Sequence, residues 1–501
     1  MPDPAQYEQV ARRIAGYLAC RQQPDGSFAG PENYGVAAAL WLWSYFGEEF
    51  GEQTELAARR LESQPPTSHG EFNAYALLQY RDRAGPGLAD SVLRRIHFGR
   101  RHSANWMLLR AVCRSRSESR LSRARALLEA RTALACYLRR GLIADRAGIR
   151  SFAYHCFCGA LLADLWRETG WRWAAAGVAD IARFIAPFVL PNGDTLYVGR
   201  GQQQIFGYGA LLYLLEAAAR MMGDGDLRSH ADPAFGYLTS FQRPDGSFPL
   251  VLNDDEPVEP WAPGLRPGWY SYNRYADYLP FLGCMLMRAA EPQLPRCANA
   301  LSPLSQHPDF YIHHEPRYTA VLSRPGGATT NDLAFPYVVV DGISLFPCYG
   351  AEGSAPPEAM PLPFGVLSDG RVYGFRDHLR YRLEEGRLTG ESALVSHSRE
   401  FQFCIGGFVC RDQIAFRRRR RFAAFAPANF VFRNLQARQD GRFETSHRGS
   451  SALIRADHAM SVHPDVGTSA SGQLVALRHC IAPFEAAAGE VISAELRVQF
   501  T

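Results

Sequence analysis

Apolar side chains recur at three- and four-residue spacing through the first 300 residues, which is the period of a helix that buries one face. Short connections rich in glycine and proline separate these stretches, so neighbouring helices are expected to pair as antiparallel hairpins. The pattern predicts about twelve helices, at 4–21, 34–47, 53–63, 71–82, 88–98, 103–115, 120–139, 152–169, 172–187, 203–222, 228–242 and 272–290.

One turn motif follows three of these predicted helices. It reads Pro-Asp-Gly-Ser-Phe at 24–28 and at 244–248, and Pro-Asn-Gly-Asp at 191–194. Proline presets φ, the Asp or Asn side chain bonds its own backbone, and glycine takes positive φ, so each motif favours a tight turn. The recurrence predicts that helix hairpins repeat around a ring, as in an (α/α) toroid.

The period of the pattern changes after about residue 300. Residues 337–346 form two short strand-like runs around Asp341-Gly342, residues 401–411 do so around Gly406-Gly407, and residues 491–500 alternate to the end of the chain. The segment Pro292 to Pro308 has neither period and is assigned as a linker. The chain is therefore predicted to be an α+β multidomain protein. An (α/α) toroid spans residues 1–300 and an antiparallel β-sandwich spans residues 301–501.

The composition is that of a globular protein, with 501 residues of which 47% are hydrophobic and 21% are charged. Lysine is absent, so all 54 basic residues are arginine. Mechanisms that need a lysine are excluded, which covers Schiff-base, P-loop and kinase chemistry. A net charge of +4 is too small to indicate a nucleic-acid partner and is compatible with an acidic glycan.

The start of the chain and its cysteines bear on location. Residues 1–8 show neither the basic start nor the apolar core of a secretory signal, and the 11 cysteines have no paired spacing. The longest apolar runs, 34–46 and 207–219, are shorter than a membrane span. We expect a cytoplasmic protein without a membrane segment, or a periplasmic one if a signal has been removed. The sequence does not indicate the oligomeric state.

This order of domains resembles the α/α-toroid polysaccharide lyases, the heparinase II/III-like and alginate-lyase-like group. The resemblance implies β-elimination on a glycan that contains uronic acid. Polar side chains neutralise the uronate carboxylate, a Tyr or His removes the C5 proton, and a Tyr protonates the leaving oxygen. Physical chemistry asks for the same set, because a proton next to a carboxylate is acidic only when the developing dianion is stabilised. The predicted partner is an acidic polysaccharide or oligosaccharide, and no cofactor is expected.

Two predicted helix starts supply the first site candidates. At Asn105-Trp106 the resemblance implies an Asn that binds the uronate carboxylate and a Trp that stacks on a sugar, although many relatives have His directly after the Asn. At Tyr154-His155 it implies an aromatic-His pair, with His155 as the acid/base and Tyr154 as a substrate contact. The alternatives are a helix cap for Asn105 and a buried core ring for His155.

Two further segments resemble parts of the same sites. Arg200 lies between two glycines at a predicted helix start, which suits close approach of a carboxylate. Tyr208 on that helix is the second acid/base candidate, and Gln203 is a candidate substrate contact. The aromatic segment at 269–278 contributes Tyr272 as a substitute catalytic residue, and Trp269, Arg274 and Tyr275 as substrate contacts. The alternatives are a solvated polar patch for the segment around Arg200 and packing of the final hairpin for the segment at 269–278.

Weaker candidates complete the set. Asn73 is one, and His313 near the domain junction is a β-region side chain that would reach the cleft. No C-x-x-C or H-x-H pattern occurs in the β region, so no metal ligand is assigned and a structural zinc is only an alternative. The five arginines at 417–421 are expected to form a solvated strand edge, with a glycan- or nucleic-acid-binding strip as the alternative.

Other functions stay open at this point. A toroid glycoside hydrolase would need two carboxylates at the cleft. A uronate epimerase would use the same proton abstraction as a lyase, and a glycan-binding protein would have no activity. The turn motif is also similar to terpene-cyclase repeats, but Asp254-Asp255 lies in a polar stretch rather than on a helix. The candidate hydrolase carboxylates are Glu71, Asp194, Glu216 and Asp277.

Overall fold

The computed structural model describes residues 3–30, 32–253, 274–291, 297, 307–326, 332–346, 356–469 and 472–501. Its helices follow the predicted ranges closely, with one short extra helix at 225–229. The helices of the first part of the chain are α1 (Pro4–Ala19), α2 (Gly35–Trp43), α3 (Gly51–Ser63), α4 (Gly70–Ala84), α5 (Gly87–Leu93), α6 (Ala104–Ser115), α7 (Arg120–Tyr137), α8 (Phe152–Thr169), α9 (Arg172–Ile185), α10 (Ile205–Met222), α11 (Gly225–Ser229), α12 (Ala231–Thr239) and α13 (Tyr275–Ala290).

Six of these helices form a closed inner ring. In order around the ring they are α2, α4, α6, α8, α10 and α13, and α13 packs back against α2. The inner helices are buried nearly all round; every residue of α2 is buried, for example. Helices α1, α3, α7, α9 and α12 pack outside this ring, each against at least one inner helix. The predicted (α/α) toroid is therefore confirmed.

The predicted turns are present with the expected chemistry. Gly26 has φ of 84°, and the Asp25 side chain accepts hydrogen bonds from the Ser27 backbone and hydroxyl. A Cβ at Gly26 would lie 2.2 Å from the Leu56 carbonyl oxygen, so a larger residue does not fit. Gly246 with Asp245 and Ser247 repeats this geometry. The two turns each lie against the backbone of an outer helix, Gly26 against Leu56 of α3 and Gly246 against Arg13 of α1.

The second part of the chain is antiparallel β structure. Two short strands, β1 (Leu138–Arg139) and β2 (Leu142–Ile143), form a hairpin within the toroid between α7 and α8. The β region itself contains a one-turn helix, α14 (Phe375–His378). Its strands are β3 (Phe310–His314), β4 (Tyr318–Ser323), β5 (Tyr337–Val340), β6 (Ile343–Ser344), β7 (Phe364–Val366), β8 (Val372–Gly374), β9 (Arg380–Glu384), β10 (Arg387–Glu391), β11 (Val395–Cys404), β12 (Gly407–Phe416), β13 (Arg420–Phe422), β14 (Ala424–Phe432), β15 (Gln436–Ala437), β16 (Phe443–His447), β17 (Ser450–Ala456), β18 (Ser461–Ser469), β19 (Gly472–Ile481), β20 (Phe484–Ala486) and β21 (Val491–Phe500).

These strands build a sandwich. One sheet has the order β15-β16-β17-β21-β12-β11-β10-β9, the other β18-β19-β14-β7-β8, and smaller sheets pair β3-β4-β5-β6 and β13-β20. Phe335 contacts Phe408 on the first sheet and Phe430 on the second, so aromatic rings fill the space between the two sheets. The hairpins predicted at Asp341-Gly342 and at Gly406-Gly407 are both present. The predicted fold class is confirmed.

A buried carboxylate joins the toroid to the sandwich. The Asp194 carboxylate accepts hydrogen bonds from Tyr208 Oη (2.9 Å) and Gln203 Nε2 (2.9 Å) of the toroid. It also accepts from Ser344 Oγ (2.9 Å) and from the Tyr337 hydroxyl of the sandwich. Burial of one anion among four donors is favourable only when all four are in place, so this cluster holds the two regions in one arrangement. Most of the predicted linker lies outside the described residues, and the boundary near residue 300 stays a prediction.

Helix α10 is long and apolar enough to span a membrane by length and composition, and it is the one such helix among the described residues. It is 89% buried inside the toroid, as an inner-ring helix must be. Its apolar character follows from burial on all sides.

Loss of the Asp194 carboxylate is expected to destabilise the protein. Asp194→Ala leaves four buried donors without their acceptor, which costs about 2–4 kcal/mol. Equilibrium unfolding in urea, followed by tryptophan fluorescence, measures the change. The exposed Asp457→Ala serves as control and should change stability by less than about 0.5 kcal/mol. Equal unfolding midpoints for the two variants would contradict the role given to Asp194.

Candidate functional site

The inner helices start at the same end of the ring, and a cleft lies where their N-terminal ends converge. The cleft has a volume of about 200 Å³. The dipoles of these helices make this end of the ring positive, which favours an anionic ligand. Each inner helix contributes a side chain at or beside its first turn: Tyr34 at α2, His69 at α4, Asn105 at α6, Tyr154 at α8, Phe206 at α10 and Tyr278 at α13.

Arginines add to the positive character of the cleft. Arg200 is ion-paired with the buried Asp145 (2.6 Å), and its guanidinium lies 4.4 Å from the ring centre of Tyr154. Arg101 lies 4.5 Å from the ring centre of Trp106 at the solvent-exposed mouth, where Arg146 also lines the cleft. Three guanidinium groups near six helix N-termini are suited to bind a carboxylate.

The side chain of Asn105 is held in one orientation. The Ser103 hydroxyl donates to Asn105 Oδ1 at 2.5 Å, so the carbonyl side of the amide is occupied. Its Nδ2 group has no protein acceptor in the part of the chain that the structure describes. This amide therefore offers two N–H donors toward the cleft, in the place where a carboxylate ligand would need them.

His69 is the most perturbed basic group at the cleft. It precedes α4 in a left-handed backbone conformation, with φ of 51° and ψ of 40°, which is uncommon for a residue with a side chain. Its Nδ1 atom is buried and has no hydrogen-bond partner among the described residues. Burial, and then the charges of Arg101 and Arg274, lower the pKa of His69 to about 4. The ring is therefore neutral at neutral pH and can accept a proton.

Tyrosine hydroxyls line the cleft around the same space. Burial raises the pKa of Tyr34 and Tyr278 well above 10, and the charge of Asp277 and the neighbouring Tyr154 raise it further. The charge of Arg200 opposes this shift at Tyr278, because it stabilises the phenolate. These phenols stay protonated at neutral pH and can donate to an oxygen.

Asp277 fixes the rim on which Tyr34 stands. Its Oδ1 accepts from the backbone N–H groups of Asn33, Tyr34 and Gly35 at 2.8, 2.9 and 2.9 Å, and its Oδ2 accepts from Asn33 Nδ2 at 3.0 Å. Burial raises the pKa of Asp277, while these hydrogen bonds lower it. Asp277 thus caps α2, and its carboxylate is the only one among the described residues that line the cleft.

Four of the predicted site residues meet at the cleft, namely Asn105, Trp106, Tyr154 and Arg200. Arg274 lies at the start of α13, where its charge lowers the pKa of both His69 and Asp277. Tyr272 and Trp269 fall outside the described residues. The neutral histidine of the cleft, His69, was not predicted; its signal in the sequence is a His-Gly pair directly before an apolar helix.

The structure corrects the interpretation of His155 and Tyr208. Both rings are fully buried in the core. His155 Nδ1 accepts from the Ile143 backbone N–H (3.2 Å), and Nε2 lies 3.0 Å from the Ile181 carbonyl, so both ring nitrogens are engaged. Burial lowers the pKa of this ring. Tyr208 donates to Asp194 at the domain interface. Neither side chain reaches the cleft.

Four other predicted contacts also lie away from the cleft. Gln203 is buried at the Asp194 cluster, and the Tyr275 hydroxyl bonds both backbone groups of Phe248. Asn73 donates to the backbone carbonyls of Asn33, Ser68 and His69, so it shapes the rim without lining the cleft. His313 lies on β3, where it bonds Glu315 (3.1 Å) and stacks on Phe403 at 4.3 Å. The contacts that hold these four side chains come from distant parts of the fold, and the spacing of apolar residues in the sequence does not reveal them.

The carboxylates considered for a hydrolase, apart from Asp277, are engaged elsewhere. Glu71 accepts from the Gly99 N–H (2.8 Å) and pairs with Arg110 at 3.3 Å. Glu216 accepts from Tyr7 and Arg220 at 3.2 and 3.0 Å. No group of three or more His, Cys, Asp or Glu side chains in the described ranges is arranged to hold a metal ion. The absence of a cofactor stays a prediction.

Comparisons with known proteins find similarity at the level of fold. No protein-family model matches the chain, and no curated protein matches its sequence. Similar solved structures include heparan sulfate lyase HepC from Pedobacter heparinus, at 13% identity over 98% of this chain and 83% of the other, with a TM-score of 0.34. A family 88 glycosyl hydrolase from Bacteroides vulgatus has 11% identity over 58% of this chain and 98% of the other (TM-score 0.42). A sugar epimerase from a ruminal bacterium has 12% identity over 56% and 98% (TM-score 0.44). All three TM-scores are below 0.5, so these likenesses carry no argument about the family or the reaction.

The pKa of His69 is expected to be near 4 and to depend on the neighbouring arginines. Arg101→Gln removes a positive charge beside the ring, so the pKa should rise toward the ordinary value of about 6.5. A pH titration of histidine ring resonances by NMR measures both values, with the His69→Asn variant identifying the signal. Arg100→Gln, an adjacent exposed charge that does not line the cleft, is the control. A pKa that is unchanged in Arg101→Gln would contradict this account of the cleft's electrostatics.

Proposed function

We propose that this protein is a lyase that cleaves a glycan containing uronic acid by β-elimination. The observation that carries the proposal is the neutral His69 ring in a cleft lined by arginines, an oriented amide and protonated tyrosines. This combination supplies a base, an anion site and an acid, which are the three functions that β-elimination requires.

In the proposed mechanism the uronate carboxylate binds first. Asn105 Nδ2 and the Arg200 guanidinium would donate to its oxygens, at the positive ends of the inner helices. Charge on the carboxylate grows when the C5 proton leaves, because the electrons delocalise into an enolate-like dianion. Donors already in place stabilise that charge more than they stabilise the ground state, which lowers the barrier.

His69 is proposed to remove the C5 proton. Its ring is neutral and partly desolvated, and removal of the proton converts it to an imidazolium beside the dianion. The bound carboxylate raises the pKa of this ring toward neutrality, since an opposite charge favours the protonated form. A base with a low pKa in the free protein is thus strengthened when the substrate arrives.

Tyr278 is the proposed acid. Its phenol donates a proton to the glycosidic oxygen as the C4–O bond breaks, and the electrons of the C5–H bond form the C4–C5 double bond. Arg200 stabilises the Tyr278 phenolate that results. His69 then releases its proton to solvent, and the phenolate takes up a proton from solvent. A hydrolase would instead need two carboxylates, and the described residues of the cleft provide one, which is engaged in capping α2.

The substrate is proposed to be an acidic polysaccharide or oligosaccharide, and the cytoplasm remains the predicted location. The electrostatics of the cleft support an anionic ligand whatever its length.

Cleavage of a uronate glycan is expected to produce ultraviolet absorbance from the new C4–C5 double bond. His69→Ala removes the base and should lower kcat by about 10²–10⁴-fold. Incubation with a panel of uronate polymers measures the absorbance, and the exposed His102→Ala should retain the wild-type rate. New reducing ends without absorbance would favour a hydrolase. Deuterium exchange at C5 without cleavage would favour an epimerase.

The charge of the ligand is tested at Asn105. Asn105→Asp replaces the amide N–H donors by a carboxylate of nearly the same size, so it should repel the uronate and lower kcat/KM by about 10²–10³-fold. Steady-state kinetics on the cleaved polymer measure this. Gln439→Glu, the same amide-to-carboxylate change at an exposed side chain away from the cleft, is the matched control. Equal kcat/KM for Asn105→Asp and the wild type would exclude Asn105 from carboxylate binding.

A further inference from the structure

Helix α7, in the outer layer of the toroid, exposes large apolar side chains to solvent. Of the five large apolar side chains that are exposed among the described residues, three belong to this helix: Leu121 (62% exposed), Leu127 (40%) and Leu128 (67%). A single exposed leucine needs no explanation, because much of any protein surface is apolar. Three on one helix form a patch of the kind that marks a contact surface.

The packing of α7 places two of these leucines on its outermost side. The helix packs on α6 and is anchored by small side chains that are fully buried, Ala126, Ala130 and Ala133. At about 100° per residue, the side opposite these alanines carries an exposed line of apolar residues. We call this line the α7 ridge, and it consists of Leu121, Ala124, Leu128 and Ala135.

Arginines flank the α7 ridge on both sides. By the same helical spacing, Arg120 and Arg131 lie on one side of it and Arg125 on the other, and all three are exposed. None of the three forms an ion pair within the part of the chain that the structure describes. Their long side chains can keep a charged group at the level of water while the leucines between them lose theirs.

Acidic side chains near the helix do not cancel this charge. Glu129 is the one acid within α7, and it is paired with Arg110 (3.2 Å) and Arg114 (2.5 Å) of α6. Glu118 lies before the helix, and two more exposed arginines, Arg139 and Arg140, follow it. The face around the ridge therefore keeps a net positive charge, which is complementary to an anionic surface.

Two tryptophans extend the same face at the start of α9. Trp171 and Trp173 are partly exposed, and their rings stack with centres 5.2 Å apart. The Arg131 guanidinium lies 5.5 Å from the ring centre of Trp173, which places the pair beside the ridge. Tryptophan is enriched at the boundary between lipid and water, because its ring is apolar and its N–H group is polar.

The chemistry of this face distinguishes between possible occupants. A second copy of the chain docked ridge to ridge would bring two sets of arginines together, and like charges across an interface are unfavourable. A soluble polyanion would bind the arginines but leave the leucines in water. An anionic lipid surface satisfies both, since its acyl boundary accepts apolar side chains and its phosphates accept guanidinium N–H groups.

We propose that the α7 ridge binds the protein to the surface of an anionic lipid bilayer. Leu121 and Leu128 enter the boundary of the acyl chains, while Arg120, Arg125 and Arg131 stay at the level of the phosphates. The contact is peripheral and needs no helix that spans the membrane. It lies on residues that do not line the cleft, so it does not depend on the proposed lyase activity.

Co-flotation of the full-length protein with lipid vesicles tests this proposal. One set of vesicles is phosphatidylcholine alone, and the other contains about 30% phosphatidylglycerol, so only the second carries surface charge. We expect binding to the anionic vesicles that weakens strongly at about 0.5 M salt. The double variant Leu121→Gln and Leu128→Gln should lower the partition coefficient at least about tenfold, because two leucines no longer leave water.

A second variant tests the charges, and matched variants elsewhere are the controls. The triple variant Arg120→Gln, Arg125→Gln and Arg131→Gln should also lower binding at least about tenfold. Ile405→Gln removes a large apolar side chain that is 70% exposed on the sandwich. Arg380→Gln, Arg382→Gln and Arg387→Gln together remove the same charge from exposed positions on β9 and β10. Both controls should bind like the wild type, and circular dichroism verifies that each variant is folded.

Each outcome decides the proposal. Binding that requires anionic lipid and is lost in both α7 variants, but not in the controls, supports the α7 ridge as the membrane contact. Binding that is equal on the two kinds of vesicle, or that survives in the α7 variants, overturns it. Absence of vesicle binding also overturns it and leaves the ridge to a protein partner. In that case, a dimer seen by size-exclusion chromatography that dissociates in the leucine variant identifies the partner as a second copy.

Discussion

Closure of the inner ring is the constraint on which the rest of the structure depends. The last inner helix meets the first where Asp277 accepts the backbone N–H groups before α2, 244 residues earlier in the chain for Asn33. The backbones approach so closely there that a Cβ at Gly35 would lie 2.1 Å from the Ala276 carbonyl oxygen. One carboxylate thus caps α2, closes the ring and places Tyr34 at the cleft. The convergence of helix N-termini, and with it the positive character of the site, follows from this closure.

The cleft combines charges that bind with groups that burial keeps neutral. The Arg200 guanidinium is paired with the buried Asp145, and the ring of Tyr154 lies against it. His69 lies near the charges of Arg101 and Arg274, and Tyr278 lies near that of Arg200. Desolvation keeps both side chains in their neutral forms. The proposed elimination needs both kinds of group, and the toroid places them on short polar segments at the ends of apolar helices.

Because the chain has no lysine, arginine is the side chain that forms its ion pairs in the core, at the cleft and at the surface. Arginine forks make bidentate and multiple contacts, as at the buried Arg399, which binds both oxygens of Asp412 through Nε and Nη2. At the domain interface, hydroxyl and amide groups are the donors that the described residues provide to Asp194. Arg421 on β13 and Arg419 just before this strand both pair with Glu485, in agreement with the expected ion-paired edge. The same residue type therefore serves in the core, at the site and at the surface.

Local spacing was enough to predict the helices, the turns, the sandwich and the positions where helices begin, because period and turn chemistry are properties of short segments. It also selected Asn105 at the start of α6 and Arg200 in the turn before α10, and both line the cleft. It did not decide which way neighbouring side chains face: Tyr154 lines the cleft, but His155, about 100° further round the same helix, enters the core. Only the closed ring determines which side of each helix start meets the cleft, and it brings together His69 and Tyr278 from distant segments. The sequence by itself thus determined the elements and the chemistry available, and the tertiary structure decided which of those groups share one space, because that depends on packing between helices far apart in the chain.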